Sequence, residues 1–204
     1  MSQTAEPSTP PAETVPPASS TLFPRLARAA IAAFLADGTV MPHENPLCAG
    51  AAPVETTALA RPYACFVSIK TANGALRGCI GTILPTRPDL AREIIGNAIS
   101  ASTRDPRFPP MKPQELPTAV ISVDVLGTPC PIRSLDELDP KKYGVIVSRN
   151  GRRGLLLPDL EGVDTVERQL SIAAGKGGIT TLEGAEIARF TVDRYFEESG
   201  GNNG

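Results

Sequence analysis

"YACFVSIKTANGALRGCIGTIL", residues 63–84, carries two β-rich runs, "YACFVSIK" and "LRGCIGTIL", on either side of "TANGA". Asn73 and Gly74 both tolerate positive φ, so the pair suits a tight hairpin turn, and the two runs are expected to be antiparallel strands. A second hairpin follows the same logic in "YGVIVSRNGRRGLLLP", residues 143–158, with Asn150-Gly151 at its turn. Between and around these hairpins lie segments of helical period. From Leu22 to about Ala36, Leu26, Ala30 and Phe34, with Leu22, Ile31 and Leu35 one step round, recur at helical spacing, and Asp37-Gly38 marks a stop. A helix capped by Thr86 or Arg87, with Pro88 in its first turn, buries Leu90, Ile94, Ile95, Ala98, Ile99 and Ser102. Asp164 and Glu167 form a capping box for a helix through about Ala174, which "GKGG" ends.

The remaining elements are strands and connections. "TAVISVDVL" alternates Val120, Ser122, Asp124 and Leu126 against Ile121, Val123 and Val125, and "EIARFTVDRYFEE" reads as one final strand. "LDELDP" is a short helical turn, "TRDPRFPPMKP" is too rich in proline for regular structure, and residues 39–62 read as a long surface connection. Hairpin-linked strands with inserted helices give an α+β fold, mainly antiparallel sheet with packed helices. The organisation expected is a Pro-rich tail over 1–21, a single domain over 22–197 and a short tail over 198–204.

Composition excludes several classes. A chain of 204 residues with 41% hydrophobic and 21% charged residues can bury a core without a metal or disulfide staple. A net charge of −2 leaves no electrostatic footprint for nucleic acid. Cys48, Cys65, Cys79 and Cys130 are widely spaced and His43 is the single histidine, so neither a zinc ribbon nor a disulfide framework is expected, nor any other metal site or cofactor. "RLARAAIAAFLADG" follows more than twenty polar, Pro-rich residues, which argues against a signal peptide, and no run reaches membrane-span length; the expected location is the cytoplasm.

Chemistry concentrates in the first hairpin. On a strand, Arg77, Cys79 and Gly81 share one face, and Gly78, Ile80 and Thr82 the other. A guanidinium two residues from a thiol favours the thiolate, and the glycines permit close approach of a ligand or chain segment. One reading is therefore a small pocket with a nucleophile or an anion-binding spot; the other is a buried cysteine in a strand pressed under a helix. Asp105 and Arg107, fixed between prolines, are either ligand-binding groups or a fastening for the loop, with Phe108 plugging the core. "GKGG" lacks the spacing of a phosphate loop and follows a helix instead of opening one. Arg149, Arg152 and Arg153 make a basic hairpin tip, either solvated or in contact with an anion or partner.

"LRGCIGT" at 76–82, followed by "DPRFPP" at 105–110, resembles the AMMECR-one domain family, whose bacterial and archaeal members are called AmmeMemoRadiSam system protein A. The similarity continues through "ISVDVLGTPCPI", "YGVIVSRNGRRGLLLPDL", "ERQLSIAAGKGG" and "ARFTVDRYFEE", covering about residues 24–197. The resemblance implies a larger and a smaller lobe with a cleft near the "LRGCIG" strand, and no established activity. It also implies association with a Memo-like protein, similar to extradiol dioxygenases, and a radical SAM protein. Carried over, it marks Leu76 to Gly81 and Asp105 to Pro110, with Thr82 beside them as a binding position for a possible small-molecule ligand. Family members often have a histidine just before the "GV-I" strand where this chain has Tyr143, which would then serve as an acid or hydrogen-bond donor. Two functions follow: a binding or accessory module for those partners, or an enzyme using Cys79, activated by Arg77, on a small anionic or carbonyl substrate.

Overall fold

The structure is a computed structural model that describes residues 20–44, 47 and 51–197. Apart from residues 20 and 21, the two tails expected from the sequence lie outside the described residues. The elements in chain order are α1 (Leu22–Asp37), α2 (Pro53–Leu59), β1 (Ala64–Lys70), β2 (Leu76–Gly81), α3 (Leu90–Thr103), β3 (Val120–Leu126), β4 (Cys130–Pro131), β5 (Gly144–Arg149), β6 (Arg152–Leu156), α4 (Val166–Lys176), β7 (Glu186–Phe190) and β8 (Val192–Phe196). The fold is α+β. Among the described residues the strands form two antiparallel sheets, ordered β2-β1-β3-β8 and β4-β7-β5-β6.

The first sheet is covered on one face by α1 and α3. Alternation on β1 and β3 aims Cys65, Val67, Ile69, Ile121, Val123 and Val125 at the helices, all of them buried. Phe23 of α1 meets Tyr195 of β8 edge-on, ring centroids 4.7 Å apart. Arg28 ties the same helix down, bonding Glu197 through Nε (2.5 Å) and the carbonyls of Leu116 and Ala119 through its Nη atoms. At Gly78 the helix lies so close that a Cβ would stand 2.2 Å from the carbonyl oxygen of Ala101.

The second sheet repeats the arrangement on a smaller scale. Val145, Val147 and Leu156 face Leu170, Ala173 and Ala174 of α4, and a Cβ on Gly154 would stand 1.9 Å from the Ala173 carbonyl oxygen. The two sheets meet through a separate apolar cluster of Ala64, Leu126, Ile146, Leu155 and Phe190. Two chain crossings join them, β3 to β4 and β7 to β8, and these touch where the Gly127 amide donates to the Thr191 carbonyl at 2.9 Å.

Several local expectations are corrected. The final segment is two strands in different sheets, because the chain bends at Thr191 to leave one sheet and enter the other. The first hairpin turns with positive φ at Gly74 alone: Thr71 to Gly74 close a turn and the Asn73 side chain accepts from Thr71, so Asn73 needs no left-handed backbone. The second hairpin has both Asn150 (φ 49°) and Gly151 (φ 77°) left-handed, as its sequence predicts. The helix after the first hairpin begins at Leu90 under Asp89, whose Oδ1 accepts from the Arg92 amide at 2.8 Å, because Thr86 and Arg87 are drawn to Glu93 instead. Thr165, not Asp164, caps α4; Asp164 pairs with Lys141 at 2.8 Å. Residues 39–62 are not wholly connection, since they contain α2.

Candidate functional site

β2 is the edge of the first sheet, and the loop after α3 closes that edge with side chains. Asp105 Oδ2 accepts from the Cys79 amide at 2.9 Å, and Arg107 Nη2 donates to the Cys79 carbonyl at 3.1 Å. The two side chains thus take the place of a fifth strand, and they lock each other through Arg107 Nε to Asp105 Oδ1 (2.9 Å) and Nη2 to Oδ2 (2.7 Å). Asp105 is buried and this guanidinium holds its carboxyl well below the usual carboxylate range, with the Cys79 and Arg107 amides adding to the effect. Phe108 follows in the same loop, with the Arg107 and Arg77 guanidiniums over its ring at 5.5 and 6.0 Å.

The Cys79 side chain projects from the sheet face that carries no helix. Register places it in a row with Ser68, Ser122 and Phe196, and the next row holds Gly81, Phe66, Asp124 and Arg194. Cys79 is half-buried, and its Sγ accepts from Ser68 Oγ at 3.2 Å. Arg77 does not follow the simple alternation expected of it: the register shifts between Ile69 and Lys70, which pair with Gly78 and Leu76, so Arg77 is the extra residue of a bulge, and its Nε and Nη2 go to Glu115 at 2.7 and 3.2 Å. Asp124, also on this face, is buried and paired with Arg194 at 2.6 and 3.1 Å. By contrast Cys65, on the helix side, is fully buried, and burial pushes its thiol up to about 12.

The other residues singled out in the sequence are dispersed. Gly78 faces α3, and Gly81 faces Phe66, whose ring would be 2.3 Å from a Cβ. Thr82 donates to Glu93 Oε1 at 2.6 Å. Tyr143 lies just before β5 of the second sheet, its ring under the Arg189 guanidinium at 4.6 Å and its carbonyl accepting from Gln169. His43 stands against Glu44 at 3.4 Å, beside Arg92 and Ile95 of α3. Cys79, Arg77, Asp105 and Arg107 are therefore brought together, and Tyr143 is not.

Glu93 is the polar residue that sequence reasoning missed. It is fully buried on α3, where it accepts from Thr82 Oγ1, the Thr86 amide and hydroxyl, and the Arg87 amide, with Arg87 Nη1 at 3.8 Å. These bonds wrap residues 82–87 around one carboxylate and fix the segment leaving β2. The pairing of "TILPTR" hydroxyls with a first-turn glutamate was the available signal.

Asp105 makes the edge closure testable. Asp105→Asn is expected to destabilise the fold by about 2–3 kcal/mol near neutral pH, since a buried charge-assisted network loses its charge and one of its two acceptor oxygens. Because the native carboxyl is depressed below its unfolded value, its contribution is complete above that unfolded value, about pH 4, and falls away as pH drops further. The gap in urea midpoint between wild type and Asp105→Asn should therefore narrow below about pH 4; a constant gap down to about pH 2.5 would contradict this.

Among the described residues no group of three His, Cys, Asp or Glu side chains is disposed to hold a metal, and no helix is long and apolar enough to cross a membrane. Known proteins agree with the architecture. A crystal structure of an uncharacterised protein, PH0010 from Pyrococcus horikoshii, superposes with a TM-score of 0.79 over 91% of this chain and 94% of that one, at 29% identity. An uncharacterised Thermotoga maritima protein is 61% identical over 131 residues, 64% of this chain and 75% of that protein. A Thermofilum pendens protein is 40% identical across 86% of this chain and 88% of its own length. A Clostridium acetobutylicum protein, 52% identical over 65% of this chain, is longer, so that the match spans 28% of it. The AMMECR1 family profile matches residues 24–195, and the chain belongs to the AMMECR1 family.

Proposed function

We propose that the chain is a binding or accessory module that acts with a Memo-like protein and a radical SAM protein. The observation that carries this reading is the engagement of the polar groups around Cys79 within the fold. Asp105 and Arg107 hold the Cys79 backbone, Arg77 is paired with Glu115, and the thiol accepts from Ser68 with the Arg107 guanidinium close by. A nucleophilic site needs a base within hydrogen-bond reach of the thiol, and a serine hydroxyl is not one. What the face offers is a shelf of Cys79, Ser68, Ser122 and the exposed Phe196 on a rigid sheet, suited to contact with a partner.

Half-burial of Cys79 on an open sheet face favours a second reading, in which it acts as nucleophile or acid/base on a small anionic or carbonyl substrate. Arg77 would activate it and Asp105 and Arg107 would orient the substrate. Co-expression with the Memo-like and radical SAM proteins, followed by affinity capture, separates the two. Capture is expected to survive Cys79→Ser and to fall about tenfold in Phe196→Asp. Failure to capture either protein overturns the binding reading, and a cellular phenotype of Cys79→Ser equal to that of gene deletion establishes the catalytic one.

A further inference from the structure

The second sheet presents to the inter-sheet cleft a row that nothing about Cys79 requires. Register sets Glu186 of β7, Ser148 of β5 and Arg153 of β6 side by side, and alternation turns all three to the face opposite α4. They stand where a cavity of about 500 Å³, with Leu84, Pro131, Ile132, Ile146 and Ala188 among its apolar walls, meets a hollow of about 570 Å³ at the hairpin tip. Both spaces are lined by these same three polar residues. Volumes of this size suit small molecules, and a largely apolar wall with a few convergent polar groups is the usual composition of such a site.

The charges on the row are arranged for a ligand with two of its own. Arg153 Nε donates to Ser148 Oγ at 3.2 Å, which leaves the outer guanidinium nitrogens directed to the cleft and the serine proton free to be donated. The Glu186 carboxylate has neither a hydrogen bond nor an ion pair among the described residues, and it lies beyond salt-bridge distance of Arg153. The other two arginines of the tip each give one nitrogen to a carbonyl, Arg149 Nε to Glu183 (2.8 Å) and Arg152 Nη1 to Gly178 (2.6 Å), and both also line the hollow at the tip. Two strand spacings separate the Glu186 and Arg153 backbones by about 10 Å. The hollow is net positive, with Arg149, Arg152 and Arg153 against Glu186, and a zwitterion is the ligand that also gives the unpaired Glu186 a partner.

We propose that Glu186, Ser148 and Arg153 bind a small zwitterion with an apolar group, of which a free apolar α-amino acid is the simplest example. Arg153 and the Ser148 hydroxyl take the carboxylate, Glu186 takes the ammonium, and the side chain enters the cavity between Ile146, Ala188 and Leu84. This does not depend on what the Cys79 face does.

Calorimetric titration of the full chain tests it with L-leucine, L-methionine and L-phenylalanine, and with two half-ligands: 4-methylpentanoate, which lacks the ammonium, and 3-methylbutylamine, which lacks the carboxylate. At least one amino acid is expected to saturate the site, with its half-ligands about tenfold weaker or more. Arg153→Gln and Glu186→Gln, both at exposed positions, should each weaken the amino acid about tenfold, and Glu186→Gln should abolish the preference for leucine over 4-methylpentanoate. Equal binding of leucine and 4-methylpentanoate by the wild-type protein overturns the proposal in favour of a plain anion site. Absence of saturable binding by all three amino acids up to about 10 mM, an affinity weaker than about −3 kcal/mol, overturns it outright.

Discussion

Glu93→Ala is expected to cost about 3 kcal/mol of stability, read as a fall in the urea midpoint with an unchanged slope. The carboxylate is fully buried and organises its surroundings as an acceptor for Thr82, Thr86 and Arg87. Truncation leaves those donors without their partner and opens a space the helix cannot close, two effects of the same sign. Glu93→Gln keeps the volume and one carbonyl acceptor, so it should recover part of the loss. An alanine variant within about 0.5 kcal/mol of wild type would mean that residues 82–87 hold their course without the carboxylate.

Gly78→Ala and Gly154→Ala should be at least as damaging, about 3 kcal/mol or more each, because the added methyl meets backbone. A flexible side chain could swing away from a new Cβ, but the Ala101 and Ala173 carbonyls at 2.2 and 1.9 Å belong to helices α3 and α4 and cannot move alone. Gly175 provides the contrast within one helix. Nothing lies within 4 Å of its Cβ direction, so Gly175→Ala should raise stability by about 0.5–1 kcal/mol through helix propensity. Thermal melts of the three variants suffice, and a neutral Gly78→Ala would contradict the close approach of α3 to β2.

Much of this architecture is legible in the chain because period and turn chemistry agree. Asn150-Gly151 between two apolar runs fixes the second hairpin, and alternation on β3 sorts Ile121, Val123 and Val125 from Ser122 and Asp124. The division at Thr191 is hidden, since alternation continues unbroken while the chain changes sheets; only the partners on either side, β5 for one half and β3 for the other, reveal it. The site divides in the same way. Simple alternation would set Arg77 beside Cys79, but a bulge at Arg77 interrupts it, and the choice of Glu115 by Arg77 depends on a turn 38 residues away. Asp105 looks equally suited to a ligand or to the fold, and its bond to the Cys79 amide is a tertiary fact that no local pattern encodes. Glu93 reads as an acidic first-turn residue of the sort that usually faces water.

The contact between Gly127 and Thr191 joins the two segments that, among the described residues, pass from one sheet to the other, and a Cβ on Gly127 would stand 2.3 Å from Thr191 Oγ1. Each strand leaving that point is committed to a different sheet, so this contact and the apolar cluster of Ala64, Leu126, Ile146, Leu155 and Phe190 together fix how the two sheets meet. A side chain larger than glycine at 127 would therefore disturb the meeting of the two sheets from a position that lines neither the cavity nor the Cys79 shelf.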